Sequence, residues 1–559
     1  MTEFNIAQIV TAVAEAVPDR ECFVHGDIRV SYREFLDRVN RFANLLHTAG
    51  IGAHTEREHL ERHQSGQDHL ALYLHNGREF LEANVGSFAA RAAPFNVNYR
   101  YVDDELRYLL ADQQATAVVY HSSFAPTLAR VRDDLAHLRL LLQVEDDSGE
   151  ELLPGASWYH EAVAAAPATP PPVEPSPDDL YVLCTGGTTG MPKGVLWRQA
   201  DIWVSALGGI SVRTKREFTS LAEIAEEAAV KGGFRNMPTA PFMHGAAQWT
   251  ALIALTHGHT CVVPGSVRRL DPADVWATAE REKVTMLQLV GDAFARPLLE
   301  ELGRHQYDLS SLRAVINGGA MLSSDAKRRF VEHLPGIAID DGLGSSEAGP
   351  VASAVTRDEG ARGAVFELGS DGLVLSADLT RVLAPGDEEL GWLAKAGRIP
   401  LGYLGDADKT ERTFPVLFGR RHVIVGDRAR MLADGHAELH GRDSVTINSG
   451  GEKIFAEEVE QAVLRHPAVA DVVVCGRPSQ RWGSEVVAIV ALVPDDSATA
   501  EDLLARAGES IARYKLPKEI IFTDQVQRSP AGKADYRWAA QQAVERSGRA
   551  GGSSEHRQA

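Results

Sequence analysis

Tyr181-Val-Leu-Cys-Thr185-Gly-Gly-Thr-Thr-Gly190-Met-Pro-Lys193-Gly194 begins as an apolar strand and breaks into a loop of glycine and threonine that ends on a lysine. Glycine lets backbone N–H groups turn toward an anion, and hydroxyls and an ammonium add donors. Such a loop can cradle phosphates. It is not a Walker A loop, because no GxxxxGK[ST] spacing fits it. The rest of the chain agrees with a strand feeding a glycine-rich turn. Val102–Asp112 puts Leu106, Leu109 and Leu110 on one helical face, and Ala115–Tyr120 follows as a buried-strand run. Short apolar runs alternate with helical patterns throughout, which predicts an α/β architecture.

Five further segments carry chemistry. They are Pro241-Phe-Met-His244-Gly245-Ala246-Ala247, Asn317-Gly318-Gly319-Ala320, and Asp341-Gly342-Leu343-Gly344-Ser345-Ser346-Glu347. After them come Val425-Gly426-Asp427 with Gly441-Arg442, and Ser449-Gly450-Gly451-Glu452-Lys453 with Arg528-Ser-Pro-Ala-Gly532-Lys533. Singly they say little. A lone histidine is more often packed in a core, a Gly-Asp is a common turn, and a lysine near the chain end is usually solvated. Their chemistry is still specific: a carboxylate is the expected hard oxygen ligand for nucleotide-bound magnesium, and an aspartate can accept both ribose hydroxyl hydrogens.

Taken together and in order, from about residue 18 to residue 540, these segments resemble the superfamily of acyl-CoA synthetases, adenylation domains and firefly-type luciferases. The resemblance implies a large multi-layered N-terminal domain, with α/β subdomains and a small β-barrel, and a smaller mobile α+β C-terminal domain. It implies ATP, Mg²⁺ and coenzyme A as cofactors. Thr185, Gly186, Gly187, Thr188, Thr189, Gly190 and Lys193 would form the phosphate loop, and His244 would border the acyl site. Gly319 and Ala320 would wall that pocket, with Asp341, Gly342 and Leu343 beside adenine. Ser346 would contact the α-phosphate, Glu347 would help to hold Mg²⁺, and Asp427 and Arg442 would read the ribose. Gly450, Gly451 and Glu452 would enter for the thioester step, and Lys533 matches the adenylation lysine. Leu343 departs from the family pattern, where an aromatic residue commonly stacks on adenine.

The implied reaction is an acid–thiol ligation in two halves: acyl adenylate formation, then transfer to coenzyme A. The stretches TGGTTGMPKGVLWR, MHGAAQW and RSPAGKADYRW look most like actinobacterial steroid-side-chain and terpenoid-acid CoA ligases. That look, with small residues at Gly245, Ala246, Ala247, Gly319 and Ala320, predicts a bulky acid. A fatty-acid ligase is the alternative. So are a relative that performs one half-reaction, a luciferase-like oxidase and a ligase for a carrier protein.

The bulk properties bound these readings. A chain of 559 residues exceeds what one core serves. Two main parts are expected, residues 1–442 and 443–546, with a disordered tail at 547–559. The net charge is -20, of which residues 444–559 hold only -2. An acidic surface argues against a nucleic-acid or anionic-membrane partner. The longest apolar run, Val486–Val493, is far short of a membrane span. Cys22, Cys184, Cys261 and Cys475 are scattered with no CxxC, the pattern of buried thiols in a reducing compartment. The expectation is a cytoplasmic enzyme acting on a small carboxylic acid, with a homodimer left open. Glu56–Asp68 reads as a solvated insertion, and Ala164–Asp179, rich in proline, as a stiff linker.

Overall fold

The computed structural model describes residues 2–185, 192–320, 322–357, 364–442, 445–449, 452–479, 483–511, 513–528 and 533–551. The loop residues Gly186, Gly187, Thr188, Thr189 and Gly190, and Gly450 and Gly451, lie outside them, as do the side chains of Arg442 and Glu452.

The chain divides into two compact units. One comprises residues 1–361 and 395–423, the other residues 362–394 and 424–559. The sequence expectation placed everything up to residue 442 in the first part. The difference has a concrete basis. The strands Gly391–Lys395, Asp427–Met431, Ala437–Arg442 and Val365–Leu368 pair antiparallel in that order and group with the C-terminal residues.

The larger unit holds two sheets. In one, the strands Ala338–Ser345, Ala314–Gly318, Met286–Leu289, Arg235–Pro238, Thr260–Val263 and Glu21–His25 run parallel in that order. Gly349–Thr356 and Ile28–Ser31 close it antiparallel at either side. The other sheet orders Gly402–Tyr403, Lys193–Arg198, Leu180–Thr185, Ala93–Asn96, His69–Tyr73, Ala115–His121, Leu140–Val144 and Ser157–Trp158. Its strands from Leu180–Thr185 through Leu140–Val144 run parallel and are near-continuous buried apolar runs, the pattern of strands buried on both faces. Ala71, Phe95, Val118, Val182 and Leu196 form one of its cores with Leu106, Leu109 and Leu110 of the helix Asp103–Asp112. The predicted Val102–Asp112 helix and Ala115–Tyr120 strand are thus found within one residue.

The insertion Glu56–Asp68 has no buried residue, as its composition suggests, and is tied to the fold at a few points. Arg91 forks onto both Glu56 and Asp179, and Gly66 accepts from the backbone N–H groups of His54 and Thr55. The proline-rich stretch is likewise docked: Asn44 Nδ2 donates to the carbonyls of Pro167 and Thr169.

In the smaller unit, the strands Glu452–Phe455, Thr446–Ser449, Gly483–Leu492 and Val469–Ser479 form a sheet, with Glu519–Phe522 parallel to Gly483–Leu492. Successive side chains alternate faces. Val472, Val474, Val486, Ala488 and Val490 pack with the helices Ala456–Leu464 and Ala500–Gly508. Val473, Cys475, Val487 and Ile489 pack with Ala539 and Ala543 of the helix Tyr536–Gly551. Burial on both faces explains the unbroken apolar run at Val486–Val493. The last helix continues to Gly551, past the expected start of the tail at Ser547. All four cysteines are buried and unbridged. Among the described residues no helix is long and apolar enough to cross a membrane.

Candidate active site

In the larger unit, the loops at the strand ends of the two sheets are tied together by buried asparagines. Asn96 Nδ2 donates to the carbonyls of Cys184 (2.8 Å) and Met243 (2.6 Å), and its Oδ1 accepts from the Cys184 N–H. Thr185 and His244 are the next residues after these two, so this one amide sets the strand Leu180–Thr185 against the segment Pro241–Ala247. Asn76 repeats the device, accepting from Phe242 N and donating to Ala240 O. His244 caps the helix Gly245–Thr256, and its carbonyl accepts from Gln248 N.

Lys193 opens the strand paired with Leu180–Thr185, opposite Thr185 itself. Its ammonium donates to Asp112 Oδ1 at 2.9 Å. Burial works against its charge, but the bond and charge of Asp112 outweigh that and hold the lysine above its ordinary value.

The segment Ser346–Glu347 is held from several directions. Trp197, wholly buried, donates its indole N–H to the Ser346 carbonyl at 2.9 Å. Lys395, almost wholly buried, donates to Ser205 Oγ (2.7 Å) and to the Pro350 carbonyl (2.8 Å). Gly349 turns the chain between them at φ +65°, where a Cβ would stand 2.8 Å from Ser205 Oγ, so both conformation and space require glycine. The Tyr403 hydroxyl donates to Glu347 Oε1 at 3.1 Å, and Lys409 Nζ stands 4.0 Å from the centre of the Tyr403 ring.

Asp341 is buried on the parallel strand Ala338–Ser345. Its Oδ1 accepts from Asn317 Nδ2 (2.6 Å) and its Oδ2 faces Lys327 Nζ (2.6 Å). Asn317 also donates to the Ala320 carbonyl and accepts from Gly291 N, which fixes the Gly318–Ala320 turn. Gly342 and Leu343 follow Asp341 on its strand, with Leu343 half-buried opposite Ala352.

In the smaller unit, Asp427 is buried at the start of its strand, opposite Arg442 in register. Ser449 and Glu452 pair where the hairpin turns. Lys533 is exposed.

Sequence reasoning did not single out Lys327, Asn96, Trp197, Lys395 or Tyr403. Lys327 left a trace, since it shares the buried face of the helix Ser324–His333 with Ala326 and Phe330, a place a lysine takes only with a partner. Asn96 ends an otherwise apolar strand. The other three act across long sequence separations.

The AMP-binding enzyme family matches residues 10–391, and the AMP-binding enzyme C-terminal domain matches residues 458–533. A relative from Mycobacterium avium, "Medium-chain acyl-CoA ligase Mig", is 54% identical over 97% of this chain and 99% of its own. A "3-oxocholest-4-en-26-oate--CoA ligase" from Rhodococcus rhodochrous is 36% identical over 96% of each chain. The solved anthranilate CoA ligase AuaEII, in complex with anthranoyl-AMP, superposes with a TM-score of 0.79 over 97% of this chain and 98% of its own. At 20% identity it speaks for the fold alone.

Proposed function

The chain belongs to the AMP-binding enzyme family and is an AMP-forming acyl-CoA ligase that uses ATP and coenzyme A, and from that premise we propose that its acid is a medium-chain acyl group. The observation that carries this is the 54% identity, over nearly all of both chains, to a relative named for medium-chain acids. A wider, polycyclic acid is the second reading. Gly318, Gly319 and Ala320 favour it by leaving room at the expected pocket wall, as does the 36% identical relative named for a steroid acid. The sequence motifs alone ranked these acids the other way, and the higher identity reverses the order.

The acid's own carboxylate is the nucleophile. It attacks the α-phosphate of ATP, the bond to the β-phosphate breaks and pyrophosphate leaves. The thiolate of coenzyme A then attacks the carbonyl of the mixed anhydride and AMP departs. Catalysis of the first step is positioning and offsetting of phosphate charge. Thr185, Thr188, Ser346 and Lys533 are the proposed donors. Lys193 joins them only by exchanging Asp112 for a phosphate. Asn317 and Lys327 hold Asp341 in one orientation, which supports its reading as the frame of the adenine pocket with Gly342 and Leu343. Asp427 and Arg442 take the ribose. Gly450, Gly451 and Glu452 serve the thioester step, and His244 borders the acid.

Glu347 fits a magnesium ion that arrives with the nucleotide. Its carboxylate is half-buried with one oxygen fixed by Tyr403, and magnesium commonly takes one or two carboxylates beside substrate phosphates. Among the described residues no three His, Cys, Asp or Glu gather to hold a metal by themselves. When bound, the ion would supply charge neutralisation at the phosphates.

The test is a panel of short, medium and long linear acids with steroidal and diterpenoid acids, scored by mass spectrometry for ATP- and CoA-dependent thioester. The highest kcat/KM on medium linear acids is expected. A highest value on a polycyclic acid would move the assignment to the second reading.

A further inference from the structure

Lys533 is exposed, yet the backbone on either side of it is tied into the most buried part of the smaller unit. Arg528 and Ala534 pair as an antiparallel bridge, so the chain just before and just after the lysine segment is joined side by side. Arg528 then forks onto Asp471. Its Nε donates to Oδ2 at 2.7 Å and its Nη2 to Oδ1 at 2.6 Å. Asp471 is itself oriented, because its Oδ1 accepts from the Val472 N–H at 2.8 Å. It stands on the long strand Val469–Ser479 where the register shifts against Gly483–Leu492, immediately before Val472, Val473 and Val474, all wholly buried. On the far side, Tyr536 packs against the core that holds Val472 and Val474, and the Glu460 carboxyl accepts from the Val474 N–H at 2.8 Å.

A two-bond fork between planar groups fixes direction as well as distance, which a single ammonium contact does not. A long lysine side chain has many rotamers, and its reach toward a small target depends on where its backbone is aimed. Displacement of about 1 Å from productive geometry can cost about a hundredfold in rate.

We infer that Arg528 and Asp471 are positioning residues for Lys533, a clamp that aims its ammonium in the acyl-adenylate step. This rests on the reading of Lys533 as the adenylation lysine. In this inference the clamp acts on the reaction only through Lys533, and its effect is confined to the half-reaction that uses Lys533.

The experiment takes the full chain and measures two rates separately: pyrophosphate release with acid and ATP, and thioester formation from supplied acyl adenylate and coenzyme A. The variants are Lys533→Ala, Arg528→Gln, Arg528→Lys, Asp471→Asn and the double variant Arg528→Gln with Lys533→Ala. Arg528→Gln and Asp471→Asn are expected to slow adenylation by about tenfold to a hundredfold. The thioester rate, which also reports that the protein is folded, should stay within about twofold. Arg528→Lys should recover part of the loss. Adding Arg528→Gln to Lys533→Ala should cost nothing further, because residues acting through one group are not additive. Equal damage to both half-reactions, or a full additional loss in the double variant, overturns the inference in favour of a structural ion pair. Adenylation lost in Lys533→Ala but kept in Arg528→Gln overturns it alone and leaves the lysine reading standing. Adenylation kept in Lys533→Ala overturns both.

Discussion

Lys327 Nζ lies 2.6 Å from Asp341 Oδ2, and the two side chains are only 3% and 6% exposed. A pair this buried costs much to desolvate, which offsets its attraction, while its geometry together with Asn317 fixes the Asp341 carboxylate. Here it orients the strand that carries Gly342, Leu343 and, a few residues on, Ser346 and Glu347. Removing one partner leaves the other charge buried and unpaired.

Lys327→Met is therefore expected to destabilise the protein by about 3–5 kcal/mol. Urea unfolding of both proteins checks this. A calorimetric ATP titration of the variant under native conditions should also show weaker binding, since Asp341 loses its fixed orientation. An unchanged urea midpoint would mean that Asp341 takes another partner at no cost.

The Tyr403 hydroxyl holds one oxygen of Glu347. If that carboxylate meets nucleotide-bound magnesium, Tyr403→Phe frees it to rotate and removes a hydrogen bond of about 1 kcal/mol. The Mg²⁺ concentration for half-maximal pyrophosphate release should rise about threefold to tenfold. Mn²⁺ binding in the presence of ATP, followed by paramagnetic resonance, should weaken in parallel. Altered turnover with an unchanged metal requirement would separate Tyr403 from the metal contact.

What the sequence made legible was whatever is encoded locally. The helix at Val102–Asp112 and the strand at Ala115–Tyr120 are found within one residue, because apolar runs and helical periodicity are read in a short window. Partners brought together by topology were not legible. Trp197 reaches Ser346, Lys395 reaches Ser205, and Arg91 joins Glu56 to Asp179, each across a separation that no window spans. The pairing of Val365–Leu368 with Ala437–Arg442, some seventy residues on, was not legible for the same reason.

The width of the expected acyl pocket can be tested at Gly318 rather than at Gly319. Gly319 has φ +95°, a backbone region that L side chains rarely adopt, so any replacement there carries strain unrelated to the acid. At Gly318 no such φ is required and an added Cβ meets nothing within 4 Å. Gly318→Leu should lower kcat/KM for polycyclic acids by about tenfold or more while costing linear acids about threefold or less, on the scale of a few kcal/mol for lost room in an apolar pocket. Equal losses for both classes would show that this wall does not set the width.

Glu460 gives the smaller unit a pH dependence opposite to that of an ordinary surface glutamate. Burial pushes its carboxyl up to about 8; the charge of Glu457 adds to this, while the Val474 N–H and Arg528 pull the other way. Asp471 faces it too, as does Tyr536 from the last helix. In the unfolded chain a glutamate loses its proton near ~4.3. Between there and about 8 the folded state therefore binds more protons than the unfolded one, so stability falls as pH rises through that window. The contribution is fully present below the unfolded value and gone above the folded one. Glu460→Gln keeps an oxygen to accept from Val474 N and removes the titration. Hydrogen exchange at the amides of Val472 to Cys475 in the full chain is the measurement, taken across pH 5 to 8 and corrected for intrinsic rates. In the parent protein these amides should lose protection toward pH 8, and in Glu460→Gln the decline should flatten. A decline of equal steepness in both proteins would assign the pH dependence to other groups.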